Sequence, residues 1–211
     1  MNTKEHPIFL ESIEYIRSKI GLTGLERVQQ SILERIIHSS GDLNIQSFLR
    51  FSPGACDDAI HALRKGAKIL TDTHMAKVAV SPIARRTLNS NIECILEMAP
   101  HSVEYERSKT RSAIGMRRMW LDLEKKNDVL ESPIVAIGSS PTALMTLLDL
   151  IDRGSKIPSL IIGMPVGFIG VAESKTRLLN SNCSSIVLEG SKGGASLVAA
   201  TLNALLNAAY Y

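Results

Sequence analysis

Two stripes of apolar residues open the chain at helical spacing. The first stripe contains Phe9, Ile13, Ile16 and Ile20, and the second contains Leu25, Val28, Ile32 and Ile36. Residues three and four apart lie on one face of an α-helix, so each stripe predicts an amphipathic helix with a buried face. Gly21 and Gly41 suit the C-terminal ends of these helices. Thr23 and Glu26 have the spacing of a capping box, which predicts the start of the second helix.

From about residue 49, short apolar runs alternate with further helical stripes. The runs that predict strands are 68–70, 91–98, 134–137, 160–162 and 185–188, and the predicted helices are 53–65, one that follows Asp72, 112–123, 142–152, 172–179 and 195–209. Ser52, which precedes a proline, and Asp72 are expected to cap the helices that follow them. Continuous apolar or β-branched runs are typical of parallel strands that are buried on both faces.

This alternation predicts an α/β fold in which residues 1–211 form a single domain. The sheet is expected to be mostly parallel, with right-handed crossovers and flanking helices in a Rossmann-like three-layer arrangement. The two helices at the start of the chain form an N-terminal helical pair beside it.

Three of the predicted strands end at glycine-rich loops, which are residues 138–140, 163–170 and 190–194. The carboxyl ends of parallel strands share one edge of the sheet, and open α/β sheets bind their ligands at that edge. A strand followed by a glycine loop and a helix brings backbone N–H groups close to an anionic ligand. Lys175 and Lys192 are assigned to these loops, where each either meets an anion or is solvated.

The composition excludes several classes of protein. The net charge is only +3 and aromatic residues make up 4%, which argues against a nucleic-acid-binding protein. Cys56, Cys94 and Cys183 form no CxxC pair, which suits a reducing cytosol and offers no cysteine-based metal site. The first residues lack a signal-peptide pattern, and the longest uncharged stretch, 157–172, is too short to span a bilayer. We therefore expect a cytoplasmic protein without a membrane partner.

Two residues stand out as candidates for chemistry. His38 lies in the last turn of the second predicted helix, where the carbonyl end of the helix dipole favours imidazolium and hence a proton donor. Arg111 lies at a helix start, where it opposes the dipole, and a carboxylate ligand would explain its position. A packed helix-end histidine and a solvent-exposed arginine remain the alternatives. No GxSxG, HExxH, P-loop or GxGxxG pattern is present, so spacing alone does not name a reaction.

Seven segments occur in an order that resembles the precorrin-8X methylmutase family, also called cobalt-precorrin-8 methylmutase. They are ERIIHSSGD, FSPGA, ILTD, TRSA, AIGSSPTAL, GMPVGFIGVAESK and GGASLVAATLNAL. The resemblance covers nearly the whole chain, and GMPVGFIGVAESK is its most specific segment. It implies an isomerase of cobalamin (vitamin B12) biosynthesis that moves a methyl group from C11 to C12 of a tetrapyrrole by a [1,5]-sigmatropic shift, giving hydrogenobyrinate or cobyrinate. It also implies a homodimer without a redox cofactor or an enzyme-bound metal.

The resemblance also implies roles for particular residues. His38 matches the histidine proposed to protonate the ring C nitrogen, Arg111 matches an arginine near the substrate, and Ser12 and Ser81 match residues near the ligand. Ser139 stands where the family usually has Asn, and Thr71 stands where it often has Cys. Whether the substrate already contains cobalt depends on the route of cobalt insertion in the host.

The sequence leaves two other functions open. A non-catalytic binding or carrier protein for a corrin intermediate would need the same loops. A different α/β enzyme that uses a dinucleotide or S-adenosylmethionine would need a glycine fingerprint after its first strand, and none is evident.

Overall fold

The computed structural model of the chain describes residues 6–101, 110–126 and 131–211. The helices are α1 (Pro7–Ile20), α2 (Arg27–Ser40), α3 (Ala55–Arg64), α4 (His74–Arg86), α5 (Arg111–Lys126), α6 (Pro141–Asp152), α7 (Val171–Leu179) and α8 (Ala195–Tyr210). The strands are β1 (Leu49–Phe51), β2 (Ile69–Thr71), β3 (Ile92–Cys94), β4 (Ile134–Ile137), β5 (Leu160–Gly163) and β6 (Ser185–Leu188). Two short 3₁₀ helices lie at Leu43–Ser47 and Ile95–Met98.

The strands form one sheet in the order β1-β6-β5-β4-β2-β3. All neighbouring pairs are parallel except β1 and β6, in which Leu49 lies opposite Leu188 and Phe51 lies opposite Ile186. The predicted mostly parallel α/β fold is therefore confirmed. The edge strand β1 was not predicted, because Arg50 interrupts the continuous apolar run that is typical of a buried strand.

The sheet is covered by helices on both faces, which confirms the three-layer arrangement. One face, which includes Ile134 and Ala136, packs in the same apolar core as α1, α2, α3, α4 and α8. The other face, which includes Val135 and Ile137, packs with α5, α6 and α7. Successive strand residues point to opposite faces, and all four residues of β4 are fully buried. Burial on both faces explains why the strands are continuous apolar runs.

The capping box of α2 is formed by Glu26 and Gln29, so the predicted pair of Thr23 and Glu26 is wrong. The N-cap of this helix is Glu26, whose backbone N–H donates to the side-chain oxygen of Gln29 at 3.2 Å. Thr23 instead donates from its hydroxyl to Gln30 at 2.5 Å. The intervening Gly24 has a left-handed backbone (φ 68°), which turns the Thr23 side chain toward the flank of the helix.

The predicted cap of α3 is also displaced. The helix begins at Ala55 after Gly54, two residues later than expected. Ser52 continues the pairing with the neighbouring strand, because its backbone N–H donates to the Ser185 carbonyl at 2.9 Å and its hydroxyl accepts from the Ser185 N–H at 2.8 Å. Ser52 thus serves the sheet and not the helix.

Two further boundaries differ from the sequence prediction. The predicted strand over residues 91–98 is a strand only at Ile92–Cys94, and the chain then tightens into the 3₁₀ helix. The cap of α4 is Thr73, which accepts from the Ala76 N–H at 3.3 Å. The carboxylate of Asp72, the predicted cap, instead contacts the backbone of the loop that follows β4.

Candidate active site

The glycine-rich loops meet backbone to backbone at the carboxyl edge of the sheet. A Cβ atom added at Gly138 would lie 2.8 Å from the carbonyl group of Gly194. One added at Gly193 would lie 2.0 Å from the carbonyl oxygen of Met164. The Gly194 N–H also donates to that oxygen at 3.0 Å. Glycine is required at these two positions because any side chain would force the loops apart.

Further hydrogen bonds join the three loops into one surface. The Val166 N–H donates to the Gly138 carbonyl at 3.1 Å, which links the second loop to the first. The Gly167 N–H donates to the Ser191 carbonyl at 3.0 Å, which links the second loop to the third. The expected convergence of the glycine loops at one edge is therefore confirmed.

His38 lies where the N-terminal helical pair meets this edge. Its Nδ1 atom is 2.8 Å from the hydroxyl of Ser12 on α1, so the structure brings these two predicted residues together. The ring of Phe9 contacts the imidazole edge-on at a centroid distance of 5.0 Å, and Arg35 lies 4.9 Å from the centre of the same phenyl ring. The Ser12 contact leaves Nε2 as the imidazole nitrogen available to a ligand.

A cavity of about 260 Å³ opens beside His38. Small side chains of α8 leave the space, and the lining residues are Phe9, Arg35, His38, Ser39, Ala79, Ser196, Ala199, Ala200 and Asn203. Pockets for whole drug-sized ligands are about 300–1,000 Å³. The cavity is therefore large enough for one edge of a macrocycle and too small for a whole one.

Asn203 is a lining residue that the sequence prediction missed. Its Oδ1 atom is buried and has no hydrogen-bond partner within the part of the chain that the structure describes. A polar residue next to Ala199, Ala200 and Leu206, which are three or four positions away on the same helix face, was the available signal.

Arg111 lies at the start of α5, and within the residues that the structure describes its guanidinium is anchored by one hydrogen bond. The Nε atom donates to the Pro100 carbonyl at 2.8 Å, and the residue is exposed. Its neighbours Thr110 and Ser112 each make a hydroxyl contact with the beginning of α6, at 2.6 Å to Thr142 and 2.7 Å to Ser140. These contacts place Arg111 beside the loop that follows β4, at the same edge of the sheet as the glycine loops.

Asp72 holds that loop from inside the protein. It is 1% exposed, and its Oδ2 atom accepts from the N–H groups of Ser139 at 2.6 Å and Ser140 at 2.8 Å. Burial raises the pKa of the Asp72 carboxyl group. Because the contact uses the Ser139 backbone, it does not depend on the side chain at the position where the family usually has Asn. The other unusual residue, Thr71, is fully buried and donates to the Thr73 carbonyl at 3.1 Å.

Ser81 lies on α4 and does not line the cavity beside His38. Its hydroxyl donates to the Lys77 carbonyl at 2.7 Å. It lines a second cavity of about 340 Å³, together with Lys77, Ala84, Arg85, Asn89, Ser90, Asn91 and Ile92. The structure thus separates Ser81 from the pair formed by Ser12 and His38.

The two lysines assigned to the glycine loops have different environments, and neither is simply solvated. Lys175 belongs to α7, is 1% exposed, and donates to the carbonyl groups of Gly190 and Lys192 at 2.7 Å each. Lys192 forms an ion pair with Asp42, just after the end of α2. The hydrogen bond from Lys192 lowers the pKa of the Asp42 carboxyl group. The assignment of Lys175 to a glycine loop was wrong, because the residue lies inside the helix predicted over 172–179.

Neither a metal cluster nor a membrane span is evident in the part of the chain that the structure describes. Within residues 6–101, 110–126 and 131–211, no group of three or more His, Cys, Asp or Glu side chains is arranged to hold a metal ion. No helix in the same ranges is long and apolar enough to cross a membrane.

The comparison with protein families decides the family. The family model of precorrin-8X methylmutase matches residues 7–208, which is nearly the whole chain. The chain belongs to the precorrin-8X methylmutase family. Its activity is therefore that of a methylmutase, an isomerase of cobalamin biosynthesis.

Individual relatives support the same family over nearly their full lengths. A cobalt-precorrin-8 methylmutase of Synechocystis is 36% identical, with 98% of this chain and 97% of the relative covered. A precorrin-8X methylmutase of Pseudomonas aeruginosa is also 36% identical, with 94% and 93% covered. The solved structure of the precorrin-8X methylmutase from Thermus thermophilus superposes with a TM-score of 0.83 at 32% identity, covering 96% of this chain and 95% of that one. These findings give no support to a non-catalytic carrier or to a nucleotide-dependent enzyme.

Proposed function

We propose that the protein moves a methyl group from C11 to C12 of precorrin-8X or cobalt-precorrin-8, with His38 as the proton donor. The reaction breaks the bond between C11 and the methyl carbon and forms the bond to C12. Substrate and product are isomers, so the step needs no oxidant, reductant or second substrate. The protein therefore has to bind the macrocycle and to donate one proton that returns after the shift.

The surroundings of His38 carry this proposal. The contact with Ser12 engages Nδ1 and orients the ring, while Nε2 is left for the substrate. The Phe9 ring restricts the imidazole from the side. Protonation of the ring C nitrogen biases the π-system toward the tautomer in which the methyl group moves, and the proton returns after the shift. A cavity of about 260 Å³ beside His38 suits the edge of the macrocycle that carries C11 and C12.

The remaining surface of this edge suits the rest of the substrate. The substrate is an apolar ring with several carboxylates around it. Phe168 and Ile169 are 90% and 82% exposed on the second glycine loop, where they offer an apolar wall. We assign Arg111 to a substrate carboxylate, because it is exposed beside the loop that follows β4, at the edge of the sheet that carries the glycine loops. We assign Ser12 to the substrate site because it contacts His38, and Ser81 because it lines the second cavity.

The experiment for the proton donor compares His38→Ala with the wild type in single-turnover absorption spectroscopy at saturating protein. The variant is expected to fold and to bind the tetrapyrrole, and to convert it about 10²- to 10⁴-fold more slowly, which is the usual contribution of general acid catalysis. His61→Ala is the matched control, because His61 is an exposed histidine on α3. Conversion by His38→Ala within about threefold of the wild type would contradict the role of His38.

We further propose that residues 1–211 act as one cytoplasmic domain in a homodimer, without a protein-bound cofactor or metal. The dimer is proposed because the family resemblance implies it and because two-fold pairs are the commonest oligomers. Light scattering coupled to gel filtration at micromolar concentrations tests the dimer, and a monomer mass would contradict it. Chelator-treated, dialysed protein is expected to convert substrate at the untreated rate. Lost turnover that a divalent ion restores would contradict the absence of a metal, whereas cobalt inside the macrocycle belongs to the substrate.

A further inference from the structure

Lys175 is buried although its side chain carries an ammonium group. The residue lies in the second turn of α7 and is 1% exposed. Its Nζ atom donates to the carbonyl groups of Gly190 and Lys192, each at 2.7 Å. Both acceptors belong to the loop between β6 and α8, and neither is a carboxylate. Within residues 6–101, 110–126 and 131–211, the Lys175 ammonium group therefore binds backbone carbonyls and no carboxylate.

The burial of this group has a physical consequence. Removing an ammonium group from water is unfavourable unless hydrogen bonds replace the water. Burial lowers the pKa of Lys175 to about 8. An apolar side chain of similar length would fill the same space without this penalty. Unlike an apolar side chain, the ammonium group fixes the orientation of the loop, because both loop carbonyls have to point toward it.

The orientation of these two carbonyl groups determines the orientation of the whole β6–α8 loop. In a trans peptide the carbonyl group and the following N–H group point in opposite directions. The carbonyls of Gly190 and Lys192 face Lys175, so the N–H groups of Ser191 and Gly193 face away from α7. Without the lysine, the carbonyl groups of Gly190 and Lys192 would lose the donor that holds both of them, and the loop could change its orientation.

Two contacts connect this loop to the surroundings of His38. The side chain of Lys192 pairs with Asp42, which follows the last turn of α2, where His38 lies. Ser196, in the first turn of α8, lines the cavity beside His38. The loop therefore borders the cavity through α8 and tethers the end of α2 that carries the imidazole.

We propose that Lys175 is a positioning residue for the methyl shift, because its two hydrogen bonds hold the β6–α8 loop and thereby the geometry of His38 and its cavity. This inference rests on the proposed role of His38. Nothing in the chemistry of the reaction requires Lys175 to touch the substrate.

The first experiment replaces the ammonium by an apolar chain of similar length, Lys175→Met. The turnover number is expected to fall at least about tenfold, with KM changed less than about threefold, because misplaced catalytic groups affect the rate step most strongly. Arg177→Met is the matched control on the same helix, since Arg177 pairs with Asp149 and Asp152 of α6, away from the loop. Its turnover number is expected to stay within about twofold of the wild type. Equal losses of turnover in the two variants would overturn the proposal.

Two further variants test the hydrogen bonds of Lys175 and the connection to α2 separately. If Lys175→Met does not fold, Lys175→Gln retains a neutral amide NH2 group as donor and is expected to show an intermediate turnover number. The combination of Lys175→Met with Asp42→Asn tests the path to α2. If the loop acts through Asp42, the double variant is slower than Lys175→Met alone by less than about twofold, because residues in one network are not additive. Fully multiplied effects would overturn the path through Asp42.

The third experiment does not depend on the role of His38. The imidazole Cε1–Hε1 signal of His38 is assigned in an NMR spectrum by its loss in His38→Ala. Lys175→Met is expected to shift this signal, whereas Arg177→Met is expected to leave it in place. A slow Lys175→Met variant with an unmoved His38 signal would overturn the positioning role. A shifted signal together with a fully active His38→Ala variant would instead overturn the proton-donor proposal alone.

Discussion

A methyl group added at Gly193 is predicted to disrupt both the stability of the protein and its activity. The new Cβ atom of Gly193→Ala would lie 2.0 Å from the Met164 oxygen and 2.8 Å from its carbonyl carbon. Gly193 is not in the left-handed region, so the conflict comes from the neighbouring loop and not from its own backbone angles. The second and third glycine loops would have to separate by about 1 Å or more to reach van der Waals distance.

The magnitude follows from the contacts that this separation disturbs. Overpacking typically costs about 1–3 kcal/mol. The hydrogen bond from the Gly194 N–H to Met164, now 3.0 Å long, would lengthen, and its loss costs about 1 kcal/mol. We expect Gly193→Ala to lower the free energy of unfolding by about 2–4 kcal/mol. The start of α8, with Ser196 at the cavity, would move as well, and a shift of about 1 Å in an active site can cost about 10²-fold in rate.

The assay combines urea denaturation with the turnover number of the folded variant at saturating tetrapyrrole. Gly154→Ala is the control, because Gly154 has a positive φ of 94° with no atom within 4 Å of an added Cβ. It lies in the turn after α6, at the opposite edge of the sheet from the glycine loops, and should lose about 1–2 kcal/mol through backbone strain alone, without a change in turnover. The reasoning fails if Gly193→Ala unfolds within about 0.5 kcal/mol of the wild type or keeps full turnover.

Two other predictions concern single charged residues. The folded-state pKa of Lys175 is lowered to about 8 from 10.5, so between these pH values the unfolded chain binds more protons and folding becomes more favourable as pH rises. The unfolding free energy of the wild type minus that of Lys175→Met should therefore increase from pH 7.5 to 9.5, by at most about 1.4 kcal/mol per pH unit. A difference that does not change with pH would contradict the burial of the charge. Arg111→Lys should weaken tetrapyrrole binding while the fold survives, because lysine does not reproduce a bidentate carboxylate contact; unchanged binding in a spectroscopic titration would remove Arg111 from the site.

Patterns that are local in the chain determined the elements and their class. The helical stripe before Asp152 and the apolar run 134–137 each correspond to an observed element, α6 and β4. The convergence of the glycine loops also followed from the sequence, since the carboxyl ends of parallel strands share an edge. Candidate roles for Ser12 and Ser81 came from the family resemblance, because neither residue has a distinguishing local pattern.

The contacts that shape the site were decided by the tertiary structure alone. The neighbouring sequence predicts that Asp72 caps a helix, yet its carboxylate accepts from N–H groups 67 and 68 residues further along the chain. Lys192 meets Asp42 across 150 residues, and the strand β1 exists because it pairs with β6. The sequence alone is compatible with a solvated Lys175, and only the packing of α7 against the β6–α8 loop buries it. Periodicity reports which face of an element is apolar, whereas the partner of a buried polar group depends on which distant segments the fold brings within hydrogen-bond distance.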